Sequence, residues 1–160
     1  MGDSLSPLVS DRIASLLQRR GAEFIVGFPE NRLLNSAASV GMRPIITRTE
    51  RVAVNIADGF ARVTNGEQFV PCVMQYGPGS EAAHAAVAQA FGDRSPILLI
   101  PGEHARSEQL HAPTVGAAEA YRSITAWSGT VNEPGQGPAV FRRALQALLG
   151  RPGCGAVRGS

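Results

Sequence analysis

The stretch Ile45-Ile46-Thr47-Arg48-Thr49-Glu50, running on through Arg51 to Arg62, decides how this chain is read. A short apolar run stops at a polar bend. Apolar residues at helical spacing follow, namely Ala53, Ile56, Ala57 and Phe60. The pattern is a buried strand that turns into a helix, with Thr49 as N-cap and the Glu50 carboxylate at the joint. Open α/β sheets hold their ligands just beyond the carboxyl ends of strands, so Glu50 stands where such a sheet presents functional groups. Taken alone, a Glu in a first helical turn is better explained by the helix dipole.

The same alternation extends in both directions. Upstream, Ser6 and Pro7 open a helix as N-cap and first helical residue. Its apolar stripe is Val9, Ile13, Leu16 and Leu17, and Gly21 stops it. Phe24-Ile25-Val26 is a buried strand, Phe28-Pro29-Glu30-Asn31 the turn after it, and residues 31–40 the next helix. Downstream, the helix from Glu50 ends near Thr64, and Asn65-Gly66 marks a turn. A strand over 69–75 leads into the loop Tyr76-Gly77-Pro78-Gly79-Ser80 and a helix over 80–91 built almost wholly of small residues. Ile97 to Ile100 is a fourth strand. A polar connection over 101–114, a short helix over 115–121, a short strand over 123–127 and a helix over 138–149 complete the pattern. Short continuous apolar strands alternating with helices predict a three-layer, doubly wound, mostly parallel sheet flanked by helices. Residues 1–153 are expected to form this one domain, and the Gly-rich residues 154–160 a disordered or truncated tail without a final strand.

Composition narrows the chemistry. The chain has 160 residues and a net charge of +2, with no basic run, which argues against nucleic acid as a partner. All 15 basic residues are Arg. The absence of Lys excludes a Schiff-base lysine and a phosphate loop ending in Gly-Lys-Ser/Thr. The 2 cysteines, Cys72 and Cys154, lie too far apart in sequence for a zinc knuckle and form no disulfide framework, so a reducing cytoplasm is the expected compartment. No apolar run approaches the ~20 residues of a membrane span. His84, His104 and His111 show no metal-ligand spacing, so no metal site is expected on this chain. No G-x-S-x-G elbow is present, and no G-x-G-x-x-G follows the first strand. Gly77-Pro78-Gly79 before a helix could receive an anion, though such turns are also common for geometric reasons alone.

The order of the pieces is more specific than any one of them. Gly27-Phe28-Pro29 follows the first strand and Arg48-Thr49-Glu50 the second. Ala57-Asp58-Gly59-Phe60-Ala61-Arg62 lies in the next helix, and Tyr76-Gly77-Pro78-Gly79 follows the third strand. Phe91-Gly92-Asp93-Arg94-Ser95-Pro96 leads into the fourth strand, and Pro101-Gly102 ends it. With these motifs the chain resembles, over residues 7–153, the N-terminal pyrimidine-binding domain of thiamine diphosphate enzymes of the acetolactate synthase, pyruvate oxidase and benzoylformate decarboxylase group.

The resemblance implies thiamine diphosphate as cofactor and Glu50 as the catalytic glutamate. In the family a glutamate hydrogen-bonds the aminopyrimidine ring and favours the imino tautomer, whose nitrogen takes the proton from the cofactor's reactive carbon. Pro29 matches the proline at the pyrimidine pocket, Gln75 falls where the third strand delivers a polar side chain, and Gly79 lies in the cofactor loop. Gln75 reads as well as a solvent-facing strand end. The resemblance also implies Mg²⁺ and the diphosphate held by a second domain with a Gly-Asp-Gly motif, which this sequence lacks. The expected partner is therefore a diphosphate-binding domain or subunit in a homo- or hetero-oligomer. The chain would be a truncated product, an excised piece or one subunit of a split enzyme. Several positions depart from the family pattern: Glu30 stands for Gly, Thr49 for His, and Ala82 for Asn. Two functions follow as alternatives, namely half of a 2-oxo-acid carboligase or decarboxylase, or a degenerate module that kept only the fold.

Overall fold

The computed structural model describes residues 8–29, 32–103, 116–150 and 155–159. Chain order runs α1 (Val9–Arg19), β1 (Phe24–Gly27), α2 (Arg32–Ser39), β2 (Arg43–Ile46), α3 (Glu50–Val63), β3 (Val70–Met74) and α4 (Pro78–Gly92). It continues with β4 (Ile97–Pro101), α5 (Ala117–Ala120), β5 (Trp127–Val131), a 3₁₀ turn at Pro134–Gln136, α6 (Gly137–Gly150) and β6 (Gly155–Gly159). The strands form one 6-stranded sheet in the order β2-β1-β3-β4-β6-β5, and every pairing is parallel.

The alternation of side chains along each strand splits the core into two apolar layers. Ile25, Val73, Leu98 and Ile100 face α1, α2 and α6 through Ile13, Leu17, Leu33, Ala37, Phe141 and Leu145. Val26, Cys72, Met74, Ile97 and Leu99 face α3, α4 and α5 through Ala53, Ala57, Ala83, Val87, Ala90 and Tyr121. The sheet is thus doubly wound, as the sequence predicts. The small residues of α4 let it lie close beside α3 on that second face.

Local chemistry explains the ends of the elements. The Leu8 N–H, ahead of α1, donates to Asp11 Oδ2 at 3.1 Å, while Ser36 Oγ donates to Asp11 Oδ1 at 2.6 Å and ties α2 to α1. Thr49 caps α3 as expected, its Oγ1 accepting the Val52 N–H at 3.3 Å. Gly27, the last residue of β1, is required by close packing: a Cβ there would come 2.2 Å from Val73 Cγ2 and 2.6 Å from the Val73 carbonyl oxygen.

The C-terminal third departs from the sequence reading. The strand expected over 123–127 lies instead at Trp127–Val131. Residues ahead of it wrap back on α5: the Ile124 N–H and the Thr125 hydroxyl both donate to the Tyr121 carbonyl, at 3.0 and 2.8 Å. These bonds satisfy the backbone locally and leave β-branched residues outside the ladder. The residues 154–160 expected to be a disordered or truncated tail supply β6, inserted between β4 and β5. Parallel neighbours on both sides satisfy its backbone, so it needs no apolar run of its own. The proposed helix start at Ser6-Pro7 lies outside the described residues.

Candidate functional site

The strand order reverses between β1 and β3, because β2 is added on one side of β1 and β3 on the other. Such a switch point opens a crevice at the carboxyl ends of the two strands, where the following loops diverge. The loops after β1, β2 and β3 all end at this edge. Two backbone bonds extend the ladder there: the Thr47 N–H donates to the Gly27 carbonyl and the Gly102 N–H to the Met74 carbonyl, each at 2.9 Å.

Glu50 is held at this edge as the first residue of α3, and is only 6% exposed. The bend that delivers it is fixed by Thr47, a buried residue whose hydroxyl donates to the Thr49 carbonyl at 2.9 Å. Among the described residues, none donates a hydrogen bond to the Glu50 carboxylate.

The loop after β3 closes on the same carboxylate. Gly77 caps α4 with φ +58 and ψ −114, a conformation that suits glycine. A Cβ on Gly79 would lie 2.4 Å from Glu50 Oε1 and 2.6 Å from Gln75 Cβ. The structure therefore brings Glu50, Gln75 and Gly79 together, and only a glycine lets the loop pack this closely on the carboxylate. Ser80, fully buried, donates from its hydroxyl to the Gln75 carbonyl at 3.1 Å and fixes the loop. Pro29 lies exposed on the turn after β1 at the same edge, and it is not among the atoms nearest Gly79. His84 stands on α4 with its ring centroid 5.9 Å from that of Tyr121. Glu30, His104 and His111 lie outside the described residues. Sequence reading did not single out Thr47, Ser80 or Tyr121. The first two carry a signal, a hydroxyl beside a cap or a Gly-Pro-Gly turn; Tyr121 carries none.

The motifs Ala57–Arg62 and Phe91–Pro96 do not reach this crevice. Asp58, Arg62, Asp93 and Ser95 meet at the opposite end of the sheet, where β4 begins. Arg62 donates to both Asp58 oxygens at 2.9 Å and also bonds Asp93, while Ser95 Oγ donates to Asp58 Oδ1. Hydrogen bonding to Asp58, and then to Asp93, raises the Arg62 pKa above its ordinary value.

A family model described as thiamine pyrophosphate enzyme, N-terminal TPP binding domain, matches residues 8–120, which contain every element of the crevice. The chain belongs to this family. Its relatives agree. It is 30% identical over 158 residues to a "probable acetolactate synthase large subunit" of Methanocaldococcus jannaschii, covering 90% of this chain and 25% of that protein. It is 30% identical over 99 residues to the acetolactate synthase large subunit of Haemophilus influenzae, covering 59% of this chain and 17% of that protein. It is 27% identical over 120 residues to a 3D-(3,5/4)-trihydroxycyclohexane-1,2-dione hydrolase of Bacillus thuringiensis, covering 69% of this chain and 19% of that protein. The chain thus spans a quarter or less of the length of these relatives. Family membership implies thiamine diphosphate as cofactor. The crevice fits that group, because it offers at the switch point a carboxylate that accepts no hydrogen bond from the described residues. Among the described residues, no helix is long and apolar enough to cross a membrane, and no cluster of His, Cys, Asp and Glu could hold a metal ion.

Proposed function

We propose that this domain binds the pyrimidine end of thiamine diphosphate at Glu50 and forms half of the site of an acetolactate synthase-like carboligase or 2-oxo-acid decarboxylase. The observation that carries this reading is the Glu50 carboxylate, buried at the switch point and packed against Gly79. When bound, the cofactor supplies a carbon that becomes nucleophilic on losing its proton. Glu50 is the catalytic group of this chain: its carboxyl oxygen shares a proton with the pyrimidine ring. Gly79 lets the loop after β3 close on that carboxylate, while Gln75 would border the ring from the end of β3 and Pro29 would line it from the turn after β1. Thr47 and the Thr49 cap hold the carboxylate in place without touching the ligand.

The rest of the site comes from a diphosphate-binding domain or subunit that carries Mg²⁺. The relatives are four or more times the length matched here, which leaves room for such a domain in them. The oligomer forms on the α3–α4 face, where Val52, Val63, Ala82 and Ala85 are exposed. Apolar surface of this kind is characteristic of a protein interface. A cytoplasmic location suits the buried free thiol of Cys72.

Isothermal titration with thiamine diphosphate and Mg²⁺, with and without a diphosphate-binding partner, tests the proposal. Binding that requires the partner is the expected result. No heat in any mixture would favour the second reading, a degenerate module. Thr49 and Ala82, in place of the family's His and Asn, are the observations on that side.

A further inference from the structure

The side chain of Tyr121 is fully buried just after α5, far along the chain from the crevice, and its hydroxyl donates to the Ser80 carbonyl in the first turn of α4. The same oxygen lies 3.5 Å from Met74 Sδ, at the end of β3. The Tyr121 ring rests beside His84, one helical turn beyond Ser80. Tyr121 therefore grips α4 at two successive turns. The turn it grips is the one that matters to Glu50, because Gly79 immediately precedes Ser80 and packs on the carboxylate. The Ser80 hydroxyl passes the constraint on to the Gln75 carbonyl.

First turns are where helices open most easily, since their N–H groups lack intrahelical acceptors. Gly77 and Gly79 make this one softer still, because glycine restricts the backbone least. A buried hydroxyl anchored to that turn removes the freedom that glycine introduces. We propose that Tyr121 is a positioning residue for the Glu50 site, holding the Gly79–Ser80 turn of α4 at a fixed distance from the carboxylate. The proposal rests on the reading of Glu50 as the cofactor's carboxylate. Tyr121 has no exposed surface and acts on the site through Ser80 and Gly79.

Tyr121→Phe removes the hydroxyl and keeps the ring. The test is amide hydrogen exchange and the Glu50 side-chain ¹³C resonance, both read by NMR on the full chain without cofactor. The Glu81 N–H closes the first turn of α4 on the Gly77 carbonyl at 3.1 Å. In Tyr121→Phe it is expected to exchange about tenfold faster, as local opening becomes easier. The Glu50 resonance is expected to move, while the amides of Val73 and Leu99 in the central strands keep their wild-type rates. Ser80→Ala, a second variant, is expected to give the same pattern at lower amplitude. Unchanged Glu81 exchange and an unmoved Glu50 resonance in both variants would overturn the proposal. So would a uniform acceleration of all amides with Glu50 unmoved, which is the mark of a purely structural tyrosine. Both readouts precede cofactor binding. If wild type fails to bind thiamine diphosphate, the proposed function falls and the exchange result stands; if it binds and exchange is unchanged, only the role of Tyr121 falls.

Discussion

Helix α3 carries a buried carboxylate toward each end of the sheet, and the two are treated in opposite ways. Asp58 is 5% exposed and Glu50 is 6% exposed. Asp58 accepts two hydrogen bonds from Arg62 and one from Ser95, so its lost hydration is fully replaced. Glu50 receives none from the described residues and faces a glycine instead. Equal burial with unequal satisfaction separates a carboxylate that holds the fold together from the one we propose meets a ligand. Both lie in motifs that resemble the same family, although only Glu50 stands out in the sequence.

The comparison can be broken most sharply at Glu50. In a reconstituted enzyme, Glu50→Gln is expected to slow proton exchange at the cofactor's C2 by ~10²- to 10⁴-fold, the range of a lost acid–base group. The urea midpoint of the chain should hold steady, because no hydrogen bond from the described residues to the carboxylate is lost. Unchanged exchange at C2 would remove Glu50 from the chemistry.

Asp58→Ala should do the reverse. It strips Arg62 and Ser95 of a shared acceptor and is expected to cost about 2 kcal/mol, below the usual figure for a broken buried pair because Arg62 is half exposed. Urea denaturation measures that loss, and the cofactor affinity of the folded fraction should stay at the wild-type value. A loss of affinity without a loss of stability would mean that the two ends are coupled through α3.

Gly79→Ala comes next in size. Its methyl group must displace either the Glu50 carboxylate or Gln75, so cofactor affinity should fall by about tenfold, or ~1.4 kcal/mol. Calorimetry reads this directly, and wild-type affinity would show that the ring does not approach over Gly79. The smallest effect is expected for Arg62→Lys, which loses the paired donation to Asp58 and lowers the urea midpoint less than Asp58→Ala does. The raised Arg62 pKa means its charge contributes stability at all pH values below that of a free arginine and is lost only as pH rises beyond it. The stability lost in Arg62→Lys should therefore be the same at pH 6 and pH 8.

The candidate site was legible in the sequence where its parts are local. Thr49 and Glu50 announce themselves at a strand-to-helix bend, and Gly77-Pro78-Gly79 at the next one. The alternation of elements also specified the parallel sheet and its two helical layers. What stayed hidden depends on contacts between distant segments. Nothing in Phe91–Pro96 says that Ser95 bonds Asp58, and nothing near Tyr121 points to Ser80. Strand β5 was misplaced because Ile124 and Thr125 have strand-like side chains but spend their hydrogen bonds on Tyr121. Strand β6 was missed because a Gly-rich segment gives no apolar signal, although a central parallel strand needs little more than its backbone.

The position of β6 also sets a timetable. It pairs with β4 through Leu98 and Leu99 and with all five residues of β5, and β5 reaches the sheet only through it. As the chain leaves the ribosome, β1 to β4 can assemble in turn and complete the Glu50 crevice. Strand β5, already synthesised, must wait unpaired until β6 emerges and slots in beside it. Assembly in the order of synthesis would thus leave one flank of the sheet open after the Glu50 crevice is built, and an open strand edge is the part of a folding chain most prone to pair with another.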